Sequence, residues 1–415
     1  MISRVLPLVL IFLAASYTSA EEIKFEAPKN LISSDIASSL LKESPTVAAA
    51  NANLDVANQE NGLLVRSPYE WTARATTQQR NVRSGERYTE WNVGVERPIR
   101  LLNKATFDKN LGQKIVSESL ASYGEAMHEA ALELAELWAN WLTAENILAL
   151  ESQNLSSIEK NLAAVEMRTK AGDASNLELN LARAELAEQQ RLTVEARTQA
   201  TVSLTKLNNR FPTFMPTATD LPDPVPLYGN LEDWKERVIT ESDELKLAEI
   251  KVEKARIQAD RLKADRIPDP TLGVFTASEV GGRERLVGVS VSMPIPTGLR
   301  NARGKKALAE VEVYKNEQSI VKRGLETKIN SLWVNLQGLN NNFDLAQKNA
   351  QSMEKNAQLV QRAYTLGEAD LQSLLLARRQ AISANYTVLK TKSDSLKNYL
   401  ELLVDAHLIW NLEHE

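Results

Sequence analysis

Leu325, Ile329, Leu332, Leu336, Leu339, Phe343, Ala346, Ala350, Met353, Ala357, Val360 and Tyr364 follow one another at alternating steps of four and three residues, without a miss. That spacing is the apolar seam of a left-handed coiled coil. Moving back 195 residues gives Ala130, Leu134, Leu137, Trp141, Ala144, Leu148, Glu151, Leu155, Ile158, Leu162, Val165 and Thr169, broken only at Glu151 and Thr169. Three short matches hold the same shift: Leu137-Trp138-Ala139-Asn140 with Leu332-Trp333-Val334-Asn335, Leu181-Ala182-Arg183 with Leu376-Ala377-Arg378, and Gly172-Asp173-Ala174 with Gly367-Glu368-Ala369. Two unrelated helices have no reason to share a register, so the chain reads as a duplicated unit.

Proline placement sets the lengths. None occurs from Ile99 to Phe211 or from Thr297 to Glu415. Without the strongest helix breaker, very long helices are expected there. A helix from Asn103 to Met167 is roughly 65 residues, or about 100 Å at 1.5 Å per residue. Turns are expected near Gly172 and Gly367, with returning helices over 177–207 and 371–403 and shorter ones over 33–66 and 231–266. Pro212, Pro216, Pro222, Pro224 and Pro226 mark an extended linker. The expected organisation is a leader over 1–20, a first helix–hairpin–helix repeat over 21–210, the linker over 211–229 and a second repeat over 230–415.

Prolines also bracket a strand-like segment in each half. Over 69–80, Tyr69, Trp71, Ala73 and Ala75 share one face, against Glu70, Thr72, Arg74 and Thr76. Over 88–96, Thr89, Trp91, Val93 and Val95 oppose Glu90, Asn92, Gly94 and Glu96. The turn at Arg83-Ser84-Gly85-Glu86 joins them as a hairpin. In the second half Val287, Val289, Val291 and Met293 alternate with Gly288, Ser290 and Ser292, after a strand over 271–278 and a turn at Gly281-Gly282. Two readings stand: surface hairpins on a helical rod, or membrane strands, whose usual ~9–11 residues these segments match. Four strands cannot close a barrel, so membrane strands require several chains to pool them.

Composition excludes other classes. The chain has 415 residues, 49 basic and 54 acidic, for a net charge of −5, which argues against a nucleic-acid binder driven by phosphate neutralisation. There is no Cys, hence no disulfide, thiolate metal site or lipidated N-terminal Cys. Arg4, the apolar run Val5–Leu13 and Thr18-Ser19-Ala20 make a secretory leader, with cleavage expected after Ala20. Five residues separate Gly298 from Gly304-Lys305-Lys306, and no Ser or Thr follows the lysine, unlike a phosphate loop. Neither a G-x-S-x-G elbow nor an H-E-x-x-H pair occurs, so no enzyme is expected. The three His are His128, His407 and His414; the last two, seven apart, are expected in solvent, and no cofactor or resident metal is expected.

The leader, the duplicated unit, a hairpin between a short and a very long helix, and the Pro-rich linker together resemble the TolC-like outer membrane factors. The resemblance spans essentially the whole mature chain. It implies a mainly α protein with membrane β: a periplasmic α-barrel of coiled coils, and four strands per chain in a 12-stranded outer-membrane β-barrel shared by a homotrimer. It implies a non-enzymatic exit duct in the outer membrane of a Gram-negative bacterium, surrounded by outer-membrane lipid and working with a periplasmic adaptor and an inner-membrane pump. Arg266-Ile267-Pro268-Asp269-Pro270-Thr271-Leu272-Gly273 and the stretch from Val287 to Pro296 are similar to the CzcC-type branch, which implies a resistance-nodulation-division pump for divalent metals such as cobalt, zinc and cadmium.

The same resemblance places adaptor docking and the narrowing of the tube at the turns, around Gly172, Asp173, Glu178, Gly367, Glu368 and Asp370. Some members carry an aspartate pair six and nine residues after the second glycine; here those positions are Ser373 and Leu376, so the pair is missing. Solvated charge at a helix turn is the competing account of each carboxylate. Tyr69, Trp71, Tyr88 and Trp91 are candidates for an interfacial girdle, with core or lumen packing as the alternative. A periplasmic adaptor or a coiled-coil scaffold remain the other classes, and the duct reading also admits organic-compound efflux or protein secretion.

Overall fold

A computed structural model describes residues 23–412; the expected leader and His414 lie outside them. The chain runs α1 (Ser34–Glu43), α2 (Pro45–Val65), β1 (Thr72–Asn81), β2 (Arg87–Pro98), α3 (Leu102–Ala171) and α4 (Asn176–Arg210), then repeats that order. The second set is α5 (Leu231–Glu241), α6 (Asp243–Ala264), β3 (Thr271–Glu279), β4 (Glu284–Ser292), α7 (Gly298–Thr365) and α8 (Leu371–Asp405). The duplication read from the heptads is therefore a duplication of the whole element order. At 70 and 68 residues, α3 and α7 are each about 100 Å long.

The two shorter helices expected over 33–66 and 231–266 are each broken into a pair. Ser44 is extended because Pro45 follows it, and Pro45 then starts α2 at a position proline tolerates. At the second break the Ser242 hydroxyl accepts the N–H of Leu245 at 3.1 Å and starts α6. The first strand begins at Thr72 rather than Tyr69, because the Tyr69 side chain is tied below the sheet.

The seam behaves as its spacing requires. Ile329, Leu332, Leu336, Phe343, Ala346, Ala350, Ala357 and Tyr364 are all buried, and Ala357 packs with Ala377 and Ala381 of α8. The main core lies midway, where Leu134, Trp138 and Leu142 of α3 meet Ile329 and Leu336 of α7, Leu400 and Leu403 of α8, and Trp234 of α5. The linker is held there: the Asn146 amide donates to the Thr219 carbonyl at 2.8 Å and accepts from the Leu221 N–H at 3.1 Å.

Both breaks in the first seam have local reasons. Thr169 returns its hydroxyl to the Val165 carbonyl at 2.9 Å. Glu151 is buried, and the Gln189 amide donates to its Oε2 at 2.6 Å and to its carbonyl at 3.2 Å. Gln189→Leu is expected to cost about 1–3 kcal/mol, because the carboxylate stays buried without its donor. Adding Glu151→Leu should restore most of that loss in thermal unfolding followed by circular dichroism; a double-variant loss equal to the sum of the two single-variant losses would mean the pair is not coupled.

Candidate functional site

The four strands form one antiparallel sheet in the order β1-β2-β3-β4. The register aligns side chains in rows, because alternate residues of a strand face the same way. Ala75, Val93, Thr276 and Val287 form one row; Ala73, Val95, Val274 and Val289 form the next. This outward face is apolar yet bare: Val287 is 87% exposed and Val289 is 78% exposed. Water is a poor solvent for such a column, and so large an exposed patch marks a partner or lipid.

The opposite face is polar and internally paired. Arg74 bridges Glu96 at 2.6 Å, and Arg80 bridges Glu90 at 2.8 Å and Glu279 at 2.9 Å. Gln78 adds a donor to Glu90 at 2.9 Å. Phe275 is a large ring in the middle of this face, and it lies against glycines on both neighbouring strands. A Cβ at Gly288 would stand 2.6 Å from the ring and one at Gly94 3.0 Å from the Phe275 Cβ, so both positions need glycine. Among the described residues, the outer edges of β1 and β4 have no partner strand.

Two of the four strand aromatics bound the apolar band. Trp71 lies at its helix-side end, two-thirds exposed, with the Arg97 guanidinium 5.6 Å from its ring centre. Trp91 lies six residues higher in register, paired with Thr77, roughly 20 Å along the strands. Tyr88 is at the far tip, bonded to Glu86 and lying under Arg283 at 5.9 Å. Tyr69 belongs to the neck instead of the band. Its hydroxyl donates to Asp269 Oδ2 at 2.5 Å, and burial together with that carboxylate pushes its pKa up to about 12.

The neck is an ionic network that the sequence reading did not assign. Lys104, fully buried near the start of α3, reaches Asp269 at 2.9 Å, Asp265 at 3.1 Å and the Ile267 carbonyl at 2.7 Å. Asp108 takes Arg100 at 3.0 Å and Arg261 at 2.5 Å. Burial alone would raise the Asp269 pKa, but hydrogen bonds from Tyr69, Lys104 and the Leu101 N–H outweigh it and hold it below its ordinary value. No repeat signal joined them: Tyr69 and Asp269 stand 200 residues apart, off the 195-residue shift that relates the two repeats.

At the other end the turns pack together. Val165, Ala182, Tyr364, Leu371 and Leu374 form a common cluster, and the Arg168 guanidinium lies 4.9 Å from the Tyr364 ring centre. Gly172 ends α3 at φ +86°, a conformation side chains disfavour, and Gly367 repeats it at +79°. The candidate carboxylates divide into two kinds. Glu178 and Ser175 form a capping box, with the Ser175 N–H donating to Glu178 at 3.0 Å and the Glu178 N–H to Ser175 at 3.2 Å. Asp370 caps α8 by accepting the Ser373 N–H at 2.7 Å, a bond that lowers its pKa. Asp173 and Glu368 are exposed and form no ion pair among the described residues. A bridge between the arms also repeats: Arg183 reaches Glu166 at 3.3 Å, and Arg378 reaches Gln361 at 2.5 Å.

His407 is not in solvent as expected. It is half-buried with its ring 5.6 Å from that of His128, and burial lowers its pKa. Among the described residues no group of three or more His, Asp or Glu is placed to hold a metal ion, and no helix is long and apolar enough to cross a membrane.

No curated protein sequence matches the chain. Solved structures do, at the level of fold. The outer-membrane channel OprN is 15% identical with a TM-score of 0.77, over 91% of this chain and 90% of that one. CusC is 16% identical with a TM-score of 0.75, over 90% and 91%. The CmeC outer membrane channel of Campylobacter jejuni is 15% identical with a TM-score of 0.70, over 92% and 86%. The family model described as outer membrane efflux protein matches residues 36–209 and 234–403, one match to each repeat. With the repeated order of helices and strands and the two-faced open sheet, that match makes the chain a member of the outer membrane efflux protein family.

Proposed function

We propose that the chain is the outer-membrane exit duct of a tripartite efflux system in a Gram-negative bacterium, acting as a homotrimer and exporting divalent heavy-metal cations. The observation that carries the duct is the open sheet, apolar outside and ionic inside, continued by helices about 100 Å long. Backbone groups in lipid must be paired, so the free edges of β1 and β4 call for other copies. Because four strands alternate in direction, β4 of one copy meets β1 of the next antiparallel, and three copies give twelve strands without a parallel joint. The strands are then the outer-membrane part, and the helices cross the periplasm. A periplasmic adaptor and an inner-membrane resistance-nodulation-division pump are the proposed partners. They meet the tube at the α3–α4 and α7–α8 turns, where Asp173 and Glu368 are the carboxylates free to line a constriction.

Metal as cargo rests on the likeness of residues 266–273 and 287–296 to the CzcC-type branch. A duct needs no resident metal site, since selection can lie in the pump. The test is growth of a deletion strain against graded cobalt, zinc, cadmium, copper and silver, alongside dyes and detergents. Loss of tolerance confined to divalent metals, restored by the intact gene, is the expected result. Sensitivity to dyes and detergents alone would overturn the metal cargo and leave organic-compound efflux.

A further inference from the structure

At the far rim of the sheet the charges sort by face. The carboxylates Glu90 and Glu279 share the inward parity and are taken by Arg80, while Glu86 is bonded by Tyr88. The arginines on the outward parity are left over. Arg285 stands in the row of Thr77, Trp91 and Ser278, and Arg87 stands two rows further out, opposite Asn81. Both are exposed, and neither forms an ion pair among the described residues. Arg83 and Arg283 in the adjoining turns are likewise without an ion pair, Arg283 resting on the Tyr88 ring. At this rim the four arginines without an ion pair among the described residues, Arg83, Arg87, Arg283 and Arg285, outnumber the carboxylates without one, Glu86 and Glu284, directly above an apolar band and beside a tryptophan.

From this placement we infer that Arg87 and Arg285 form a binding site for the phosphate groups of outer-leaflet lipid, of the phosphorylated glycolipid class of lipid A. The inference rests on the membrane reading above. An acyl chain lying along Val287 and Val289 brings its headgroup to the level of Arg285. A planar guanidinium pairs with phosphate through two parallel hydrogen bonds, which a headgroup without phosphate does not offer. Attraction of basic residues to an anionic leaflet acts within a Debye length, which suits side chains at the rim and excludes those on the inner face.

The test uses the full-length oligomer purified in non-ionic detergent, read by native mass spectrometry for retained lipid and by thermal shift. The probes are lipid A with both phosphates, lipid A with its phosphates removed, and inorganic phosphate. The wild type is expected to retain phosphorylated lipid A about tenfold more strongly than the dephosphorylated form. The double variant Arg87→Gln/Arg285→Gln should lose that preference, and Arg74→Gln on the inner face should keep it. Equal retention of the two lipids by the wild type overturns the proposal, whether or not the variants assemble. An equal shift from inorganic phosphate alone overturns the lipid assignment. Membrane fractionation separates the underlying reading: wild type absent from the outer membrane removes the membrane placement, whereas wild type present there without phosphate preference removes only the rim site.

Discussion

Lys104→Ala is expected to cost about 3–5 kcal/mol of stability, the largest single loss at the neck, because it strands the buried Asp269 carboxylate without its cation, while Asp265 keeps Arg261 at 2.6 Å. Lys104 is fully buried and serves Asp265, Asp269 and a backbone carbonyl at once. Asp269→Asn should cost less, since Lys104 keeps Asp265 and the Ile267 carbonyl. The measurement is denaturant unfolding of the detergent-solubilised protein; a loss below about 1 kcal/mol for Lys104→Ala would show that water reaches the neck.

The same network sets a direction with pH. The Asp269 pKa is held below its unfolded value, so its contribution to stability is present above the ordinary carboxylate range and is lost as pH falls through the folded pKa. Neck stability should therefore decline on acidification below roughly pH 4. That decline should be shallower in Lys104→Ala, where one cause of the low pKa is gone.

Trp410→Ala is the second large effect, expected at about 3–5 kcal/mol from lost burial and the cavity left behind. Trp410 is almost wholly buried, its indole N–H donates to the Ile32 carbonyl at 2.8 Å, and its own carbonyl accepts from the Ser38 hydroxyl at 3.2 Å. It thus fastens the segment after α8 to the segment before α1. Trp410→Phe keeps most of the volume and loses the donor, so about 1–2 kcal/mol is expected from the orphaned carbonyl. Thermal unfolding of the three proteins should rank them in that order, and an alanine variant equal to the phenylalanine one would mean that packing contributes little.

What was legible in the sequence was whatever repeats at short range. Heptad steps from Leu325 to Tyr364 carry the long helix, and a constant shift of 195 carries the second copy, because both are set by local geometry that every turn of helix renews. The strand faces follow from period two for the same reason. The neck was not legible: Lys104 and Asp269 are 165 residues apart, and no periodic signal joins them. The pairing of His407 with His128 was hidden likewise, since 279 residues separate them. The candidate carboxylates were half legible. Ser175-x-x-Glu178 is a capping pattern, so Glu178 had a structural occupation readable beforehand, as had Asp370 before Ser373.

The bare edges of β1 and β4 carry a consequence for heredity. A copy crippled at one edge still offers the other, so it can join a ring and leave it unable to close. For the homotrimer proposed above, a cell making equal amounts of sound and crippled chains would assemble only roughly one ring in eight wholly from sound chains. An allele with proline in the middle of β4 would therefore act as a dominant one, harming a cell that also carries the intact gene more than outright deletion of one copy would.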